Sequence, residues 1–274
     1  MAQFYLRFSL FLLIFLLANC QTAAPKQTTS GEIKADVRVS HQIFTSLLQE
    51  AVKEGMVDYK KIQQDKRLQE YCDLLAKTNP DALASKKEKL AYWINVYNAF
   101  TLKVILENYP LKSISQLHFS GNLYIAYIFS STVWDTYKFK IHNKTYTLNY
   151  VEHEILRKQF KDFRIHAAIV CASIGCPPLR SEAFTAEKLE QQLDSQMKTF
   201  LSQTAKNRYD AEKKVLYLSP IFSWFEEDFT KGDKKIVDVL LPYWSENSKV
   251  ALQADKAQAS ITYTFYDWNL NEQK

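Results

Sequence analysis

Glycine is scarce in this chain of 274 residues, which contains only five. They are Gly31, Gly55, Gly121, Gly175 and Gly232, and no two lie within 20 residues of each other. The dinucleotide fingerprint and the phosphate-binding loop both require glycines at close spacing. The sequence therefore excludes both motifs, and we expect neither a nucleotide nor another cofactor.

The chain also lacks a strong charge of one sign. The formal net charge is only +5, and the lysines occur singly or in short groups without an accompanying stripe of arginine and aromatic residues. Nucleic-acid binding depends on such a stripe, so we expect no nucleic-acid partner. Hydrophobic residues at 47% and aromatic residues at 14% suffice for a sizeable core.

A long hydrophobic run is missing as well. The N-terminal run from Phe8 to Leu17 has about 10 residues, whereas crossing the hydrocarbon core takes about 20. Its last residue begins the sequence Leu17-Ala-Asn-Cys20. The sequence therefore predicts a signal peptide over 1–19 with a lipobox-like end.

We therefore expect Cys20 to be lipidated, with palmitate among its acyl chains, and residues 20–36 to form a flexible tether. Several acyl chains together hold a protein on a membrane. Gln21 in the next position favours the periplasmic side of the outer membrane. A secreted or periplasmic protein is the alternative.

Residues 37–274 are predicted to form one globular α+β domain, with its core at about 83–230, a small, mostly antiparallel sheet and helices in the majority. Ser85 begins the strongest helical pattern, which predicts a central buried helix near 86–108 that ends before Pro110. Alternating aromatic and β-branched residues on both sides of His142 predict a hairpin.

Further elements follow from shorter patterns. Ser40 is a candidate N-cap for a helix that ends at Gly55, and Asn149 with Glu152 resembles a capping box for a helix that reaches about Phe160. The remaining predictions are a helix over about 61–77, a core strand over 165–171, an amphipathic helix over 184–203, a strand over 215–219, a helix start over 223–229, a helix over 236–244 and a closing strand over 261–268.

The candidate chemistry centres on His166 and Cys171, which could act as base and thiol nucleophile. On a regular strand, a separation of five residues places the two side chains on opposite faces. A direct pair therefore requires Cys171 to lie beyond the end of the strand. His153 is an alternative base, and Glu152 or an asparagine could orient whichever histidine acts as the base.

A metal site is not predicted. His153-Glu-Ile-Leu-Arg157 has arginine where the zinc-hydrolase motif needs its second histidine, and arginine does not ligate zinc. Cys171 and Cys176 are close enough in sequence to form a disulfide in an oxidising periplasm, or less simply to hold a metal with a histidine. Asn95 and Asn98 fall on the central helix, where a buried amide must find hydrogen-bond partners in the backbone or in a ligand.

Several motifs together resemble domain-of-unknown-function family 547. The resemblance spans almost the whole chain after the tether, in the blocks Gly55-x-Val-Asp-Tyr59, Ala91-Tyr-Trp-Ile-Asn-Val-Tyr-Asn98, Thr147-Leu-Asn-x-x-Glu-His153 with Arg157, His166-Ala-x-x-x-Cys171-Ala-Ser-x-x-Cys-Pro-Pro-Leu179, Ser223-Trp-Phe-x-x-Asp-Phe229 and Tyr266-Asp-Trp-x-Leu-Asn271. It implies an exported bacterial protein of a family without an established activity. It also implies a polar signature at Asn95, Asn98, Glu152, His153, Arg157, His166, Cys171 and Ser173.

Two hypotheses for function remain. The favoured one is an envelope lipoprotein in which these polar residues form a binding or structural pocket for an unknown envelope ligand or protein, beside a Cys171–Cys176 disulfide. The alternative is a thiol-dependent hydrolase or acyltransferase that acts on envelope amides or esters through Cys171. Strand parity and the disulfide both count against the second.

Overall fold

The computed structural model describes residues 38–118, 131–230, 232 and 234–274. The predicted signal peptide, Cys20 and the tether lie outside the described residues. The described residues belong to one compact unit, Asp36–Lys274.

Helices dominate this unit, and the prediction of a helix-rich α+β fold is confirmed. The described α-helices are Gln42–Ala51, Tyr59–Gln63, Arg67–Lys77, Lys86–Glu107, Val133–Thr136, Leu148–Tyr150, Ile165–Ala168, Leu189–Leu201, Ile221–Trp224, Glu226–Phe229, Ile236–Leu240 and Glu246–Asp255, and Val151–Phe160 is a π-helix. The described strands are Val52–Lys53, Met56–Val57, Lys138–Ile141, Lys144–Thr147, Arg208–Asp210, Val215–Leu218 and Ser260–Tyr263. Within the described part of the chain, no helix is both long enough and apolar enough to cross a bilayer.

The central helix, Lys86–Glu107, begins where the sequence predicts. The Ser85 hydroxyl accepts from the Glu88 N–H at 3.1 Å, and the Glu88 carboxylate accepts from the Ser85 N–H at 3.1 Å. This capping box satisfies two N–H groups that the helix itself leaves unpaired. Buried side chains occupy most of the helix circumference from Leu90 to Ile105, so the other elements pack around it.

The hairpin of Lys138–Ile141 and Lys144–Thr147 packs against the central helix through alternate residues. Lys138 pairs with Thr147, and Ile141 pairs with Lys144. Phe139 and Ile141 are buried, while Lys138 and Lys140, which alternate with them, are exposed. The Phe139 ring stacks on Phe100 at 4.1 Å between centroids.

A second sheet has Val215–Leu218 in the middle, antiparallel to Arg208–Asp210 and parallel to Ser260–Tyr263. The predicted closing strand over 261–268 therefore ends early, at Tyr263. The chain then runs beside two other segments: the Ile174 N–H donates to the Asn269 carbonyl at 2.8 Å, and the Val57 N–H donates to the Asn271 carbonyl at 2.8 Å.

The predicted core strand over 165–171 is wrong. Ile165–Ala168 is a single helical turn, and the backbone becomes extended at Ile169. The Asn98 side chain takes the place of a neighbouring strand: its amide donates to the Ala168 carbonyl at 2.9 Å and accepts from the Val170 N–H at 3.0 Å. The parity argument against a His166–Cys171 pair therefore does not apply.

Several predicted boundaries also differ from the observed ones. His41 rather than Ser40 is the N-cap of the first helix, which ends at Ala51. Thr147 rather than Asn149 is the N-cap of the helix that begins at Leu148. The Thr147 hydroxyl accepts from the Tyr150 N–H at 3.2 Å. The helix predicted from 184 begins at Leu189, since the Phe184 backbone is bonded to the Asn95 side chain instead.

Towards the C-terminus, the region over 223–229 forms two short helices, Ile221–Trp224 and Glu226–Phe229, separated at Phe225. The strand over 215–219 and the helix over 236–244 are present with shorter bounds. The helix Glu246–Asp255 was not predicted.

Candidate functional site

The π-helix presents His153 and Arg157 on one side. The Arg157 Nη1 lies 2.8 Å from the His153 Nδ1. Arginine can only donate, so His153 accepts at Nδ1 and its neutral ring carries the proton on Nε2. Burial, together with the charges of Arg157 and His166, lowers the pKa of His153, which keeps the ring neutral. π-Helices are rare and often mark functional sites.

Asp228 joins this helix to His166. Its Oδ2 accepts from the Arg157 Nε at 2.6 Å and from the His166 Nε2 at 2.8 Å. Although burial raises it, the hydrogen bonds and charges of His166 and Arg157 hold the pKa of Asp228 well below its usual range. Asp228 thus remains ionised and fixes the side chains of Arg157 and His166, both of which lie more than 60 residues before it in sequence.

Phe225 packs against both His166 and Arg157. The His166 ring stacks on Phe225 at 4.1 Å between centroids, with the planes 20° apart. The Arg157 guanidinium lies 5.1 Å from the Phe225 ring centre, close enough for a cation–π contact. The orientations of both side chains are therefore set by packing as well as by hydrogen bonds.

Glu227, next to Asp228, also pairs with Arg157, through the Nη2. The two carboxylates differ in environment, because the Glu227 side chain is 78% exposed and the Asp228 side chain only 11% exposed. Arg157 is itself only 16% exposed. We call Glu152, His153, Arg157, His166, Glu227 and Asp228 the polar cluster.

Glu152 occupies the inner end of the polar cluster. Its Oε2 accepts from the Tyr97 hydroxyl at 3.1 Å. Burial raises the pKa of Glu152 to about 7; the bond from Tyr97 and the charge of Arg157 oppose this shift, and Asp228 adds to it. A carboxyl group with such a pKa changes protonation near neutral pH, as a general acid or base must.

Cys171 and Cys176 form a disulfide, with 6.1 Å between their Cα atoms. The Cys171 Sγ lies 3.1 Å from the Ser173 hydroxyl and 3.0 Å from the Tyr266 hydroxyl. In this oxidised form Cys171 has no thiol to act as a nucleophile. The His166 Nε2 is directed at Asp228, and the His166–Cys171 pair stays a prediction.

Tyr266 links the disulfide loop electrostatically to the polar cluster, because its hydroxyl lies 3.0 Å from the Cys171 Sγ and the charge of Glu152 acts on it. The pKa of Tyr266 is raised by burial and by the charge of Glu152, against the opposing bond from Ser173. Tyr266 therefore contacts the disulfide and also lies within electrostatic range of the cluster carboxyl group. Cys72, a free cysteine among the described residues, is buried in the core, and burial raises the pKa of its thiol to about 12.

Asn95 and Asn98 are buried and bonded to backbone. Asn95 donates to the Phe184 carbonyl at 2.8 Å and accepts from the Phe184 N–H at 3.0 Å. Asn98 holds Ala168 and Val170 in the same two-sided manner. These backbone contacts give both buried amides a structural role in the fold. The ligand role predicted for them has no separate support here.

A surface concavity of about 680 Å³ opens beside the polar cluster. The described residues that line it are His153, Glu154, Arg157, Lys158, Lys161, Glu227 and Asp228. Of the predicted site residues, His153 and Arg157 line it, while Glu152, His166, Cys171 and Ser173 are outside its lining. Across the described ranges, no three His, Cys, Asp or Glu side chains are placed to hold a metal ion.

Asp228, Glu227, Phe225 and Tyr266 are the site residues that sequence reasoning missed. Asp228 and Phe225 stand in the block Ser223-Trp-Phe-x-x-Asp-Phe229, and Tyr266 begins the last block, so the resemblance contained a signal for three of the four. The helical pattern of 223–229 alone gives no reason to place Asp228 beside Arg157.

Comparison with known proteins supports the family and gives no relative with a known activity. No curated protein and no solved structure is matched. A family profile does match one segment of the chain, residues 80–201. This segment contains the polar signature from Asn95 to Ser173, whereas Asp228 lies beyond its end. Residues 80–201 match the profile of the family described as "Protein of unknown function, DUF547", which supports over these residues the family that the sequence motifs resemble.

Proposed function

We propose that the protein is a ligand-binding lipoprotein of the bacterial envelope, which holds its ligand in the concavity beside the polar cluster. The observation that carries this proposal is the fixed position of Arg157 at that concavity. Asp228, His153 and Glu227 each accept from a different nitrogen of its guanidinium. A binding site works best when its polar groups are held in place before the ligand arrives.

The Cys171–Cys176 disulfide supports an exported protein. Disulfides persist in oxidising compartments such as the periplasm and are rare in the cytosol. The bond also favours binding over thiol chemistry, because it consumes the nucleophile that the alternative needs. Lipidation at Cys20 is tested by incorporation of labelled palmitate, which Cys20→Ser should abolish.

Ligand binding is tested by thermal unfolding in the presence of single envelope components: soluble cell-wall peptide fragments, lipid headgroups, sugars and amino acids. A ligand that binds only the native state raises Tm as its concentration rises. The shift should disappear in Arg157→Gln. It should persist in Arg164→Gln, a matched control, because Arg164 is 15% exposed and paired with Asp162, outside the concavity.

If no component of the panel raises Tm, or if Arg157→Gln keeps the full shift, the proposal of a ligand site at this concavity fails. Unfolding of each variant without ligand is measured first, so that a loss of fold is separated from a loss of binding.

A thiol-dependent hydrolase or acyltransferase is the second candidate, favoured by the surroundings of the Cys171 sulfur. The Ser173 and Tyr266 hydroxyls lie 3.1 Å and 3.0 Å from it, where they could donate to a thiolate once the disulfide is reduced. Thiol counting on protein folded in the periplasm decides between the candidates. A free, rapidly alkylated Cys171 favours the enzyme, and a complete disulfide removes it.

A further inference from the structure

We infer that the concavity binds a ligand through a carboxylate, and that Glu227 occupies the place of this carboxylate when no ligand is bound. The inference rests on the proposed function and names the chemical class of its ligand.

Arg157 retains donor capacity after its internal contacts are made. A guanidinium has five N–H donors. Asp228 takes the one on Nε, while His153 and Glu227 each take one on a terminal nitrogen. Among the described residues, nothing takes the second N–H of either terminal nitrogen. The flat donor pattern of arginine matches the two oxygens of a carboxylate.

The two carboxylates on Arg157 are held with different strength. Asp228 is 11% exposed and also accepts from His166, so it stays in place. Glu227 is 78% exposed, and Arg157 is the partner that the structure gives it. An exposed ion pair contributes about 0–1 kcal/mol. A ligand carboxylate can therefore displace Glu227 while Asp228 keeps the guanidinium oriented.

The lining favours a single negative charge. With Glu227 turned away, the described charged residues of the lining are Arg157, Lys158, Lys161, Glu154 and Asp228, and Lys158 is already paired with Glu154 at 2.6 Å. These described residues together then carry one net positive charge. The His153 Nε2–H adds a neutral donor. This balance suits a carboxylate better than a doubly charged phosphate.

The matched probes are N-acetylglycine and N-acetylglycinamide, which differ only in the carboxylate. Binding is measured by NMR titration of the full folded domain, following the resonances of residues that line the concavity. We expect the acid to bind at least about tenfold more tightly than the amide, as a charge-assisted hydrogen bond requires. Glu227→Gln should lower the Kd of the acid about two- to fivefold, and Arg157→Gln should abolish binding.

Each other outcome has a defined meaning. If the amide shifts the same resonances as strongly as the acid, the carboxylate inference is wrong while the proposed binding function stands. If Glu227→Gln binds the acid no more tightly than the wild type, Glu227 is not the internal competitor and the inference is overturned. If neither probe shifts these resonances, carboxylate recognition fails, and the Tm panel then decides the proposed function separately. Arg164→Gln, which should bind like the wild type, controls for general charge effects.

Discussion

Replacement of Asp228 by asparagine is expected to weaken the fold measurably, although this residue sits on a helix of only four residues. Asparagine keeps the shape of the side chain and removes its charge. In the wild type one oxygen of Asp228 accepts from both Arg157 and His166. The amide oxygen can still accept one such bond, but the compensating negative charge beside a mostly buried guanidinium is lost.

The magnitude follows from burial. Breaking a buried ion pair costs about 3–5 kcal/mol, whereas exposed pairs contribute about 0–1 kcal/mol. The 11% exposure of Asp228 and the remaining neutral hydrogen bond place Asp228→Asn slightly below the buried range, at about 2–3 kcal/mol. Glu227→Gln is the matched control, because it removes a carboxylate from the same arginine at 78% exposure. It should cost under about 0.5 kcal/mol.

The pH dependence gives a second, independent readout. The pKa of Asp228 is held below its usual range in the native state, so the unfolded chain takes up a proton first as pH falls from about 4. The stabilisation by Asp228 is therefore complete above that pH and is lost below it. The difference between wild type and Asp228→Asn should narrow as pH drops from about 5 towards about 2.

The assay is urea unfolding followed by tryptophan fluorescence, with the free energy of unfolding extrapolated for wild type and both variants at several pH values. Equal m values are required, so that the comparison reports stability alone. The reasoning is refuted if Asp228→Asn loses no more stability than Glu227→Gln, or if its deficit is independent of pH.

Three further predictions concern other parts of the site and fold. Reduction of the Cys171–Cys176 disulfide should lower the free energy of unfolding by about 2 kcal/mol, the chain-entropy value for so short a loop; an unchanged urea midpoint with reductant would contradict this. As pH rises from 5 to 8, the free energy of unfolding of Glu152→Gln should increase by about 1–2 kcal/mol relative to that of the wild type. The reason is that the Glu152 pKa, raised to about 7, makes the wild type lose stability as pH rises through that window. Urea titrations that give parallel pH curves for the two proteins would count against it. Gly55→Ala should lower Tm more than Gly232→Ala does. Both glycines have a positive φ, but only at Gly55 would an added Cβ lie 2.3 Å from a proline carbon. Equal decreases in Tm would reject the steric explanation.

The sequence predicted those elements whose determinants are local. Ser85 and Glu88 are three residues apart, and the capping box they form fixes the start of the central helix. The alternation of Phe139 and Ile141 with lysines fixes the hairpin register relative to the core. Both signals act within a few residues, so reading them requires no knowledge of the rest of the fold.

The failures arise where a distant side chain provides the hydrogen bonds. The apolar run after Ile165 has the composition of a strand, but Asn98, about 70 residues earlier, supplies the donor and acceptor that a neighbouring strand would give. Asp228 was missed for the same reason, because its partners Arg157 and His166 lie more than 60 residues away. Periodicity contains no information on such contacts.

The buried amides explain how a site can be assembled from residues so widely spaced. Asn98, on the central helix, forms hydrogen bonds with the backbone between His166 and Cys171. The central helix therefore fixes the segment whose two ends carry the imidazole and the disulfide. The imidazole then meets Asp228, which in turn fixes Arg157 at the concavity. In this chain of contacts each polar group is satisfied by the next, and a buried group left without its partner would cost about 1–3 kcal/mol. Asn98 is therefore connected to Arg157 through the backbone of residues 168–170, His166 and Asp228, and it acts on the proposed ligand site only through the groups it positions.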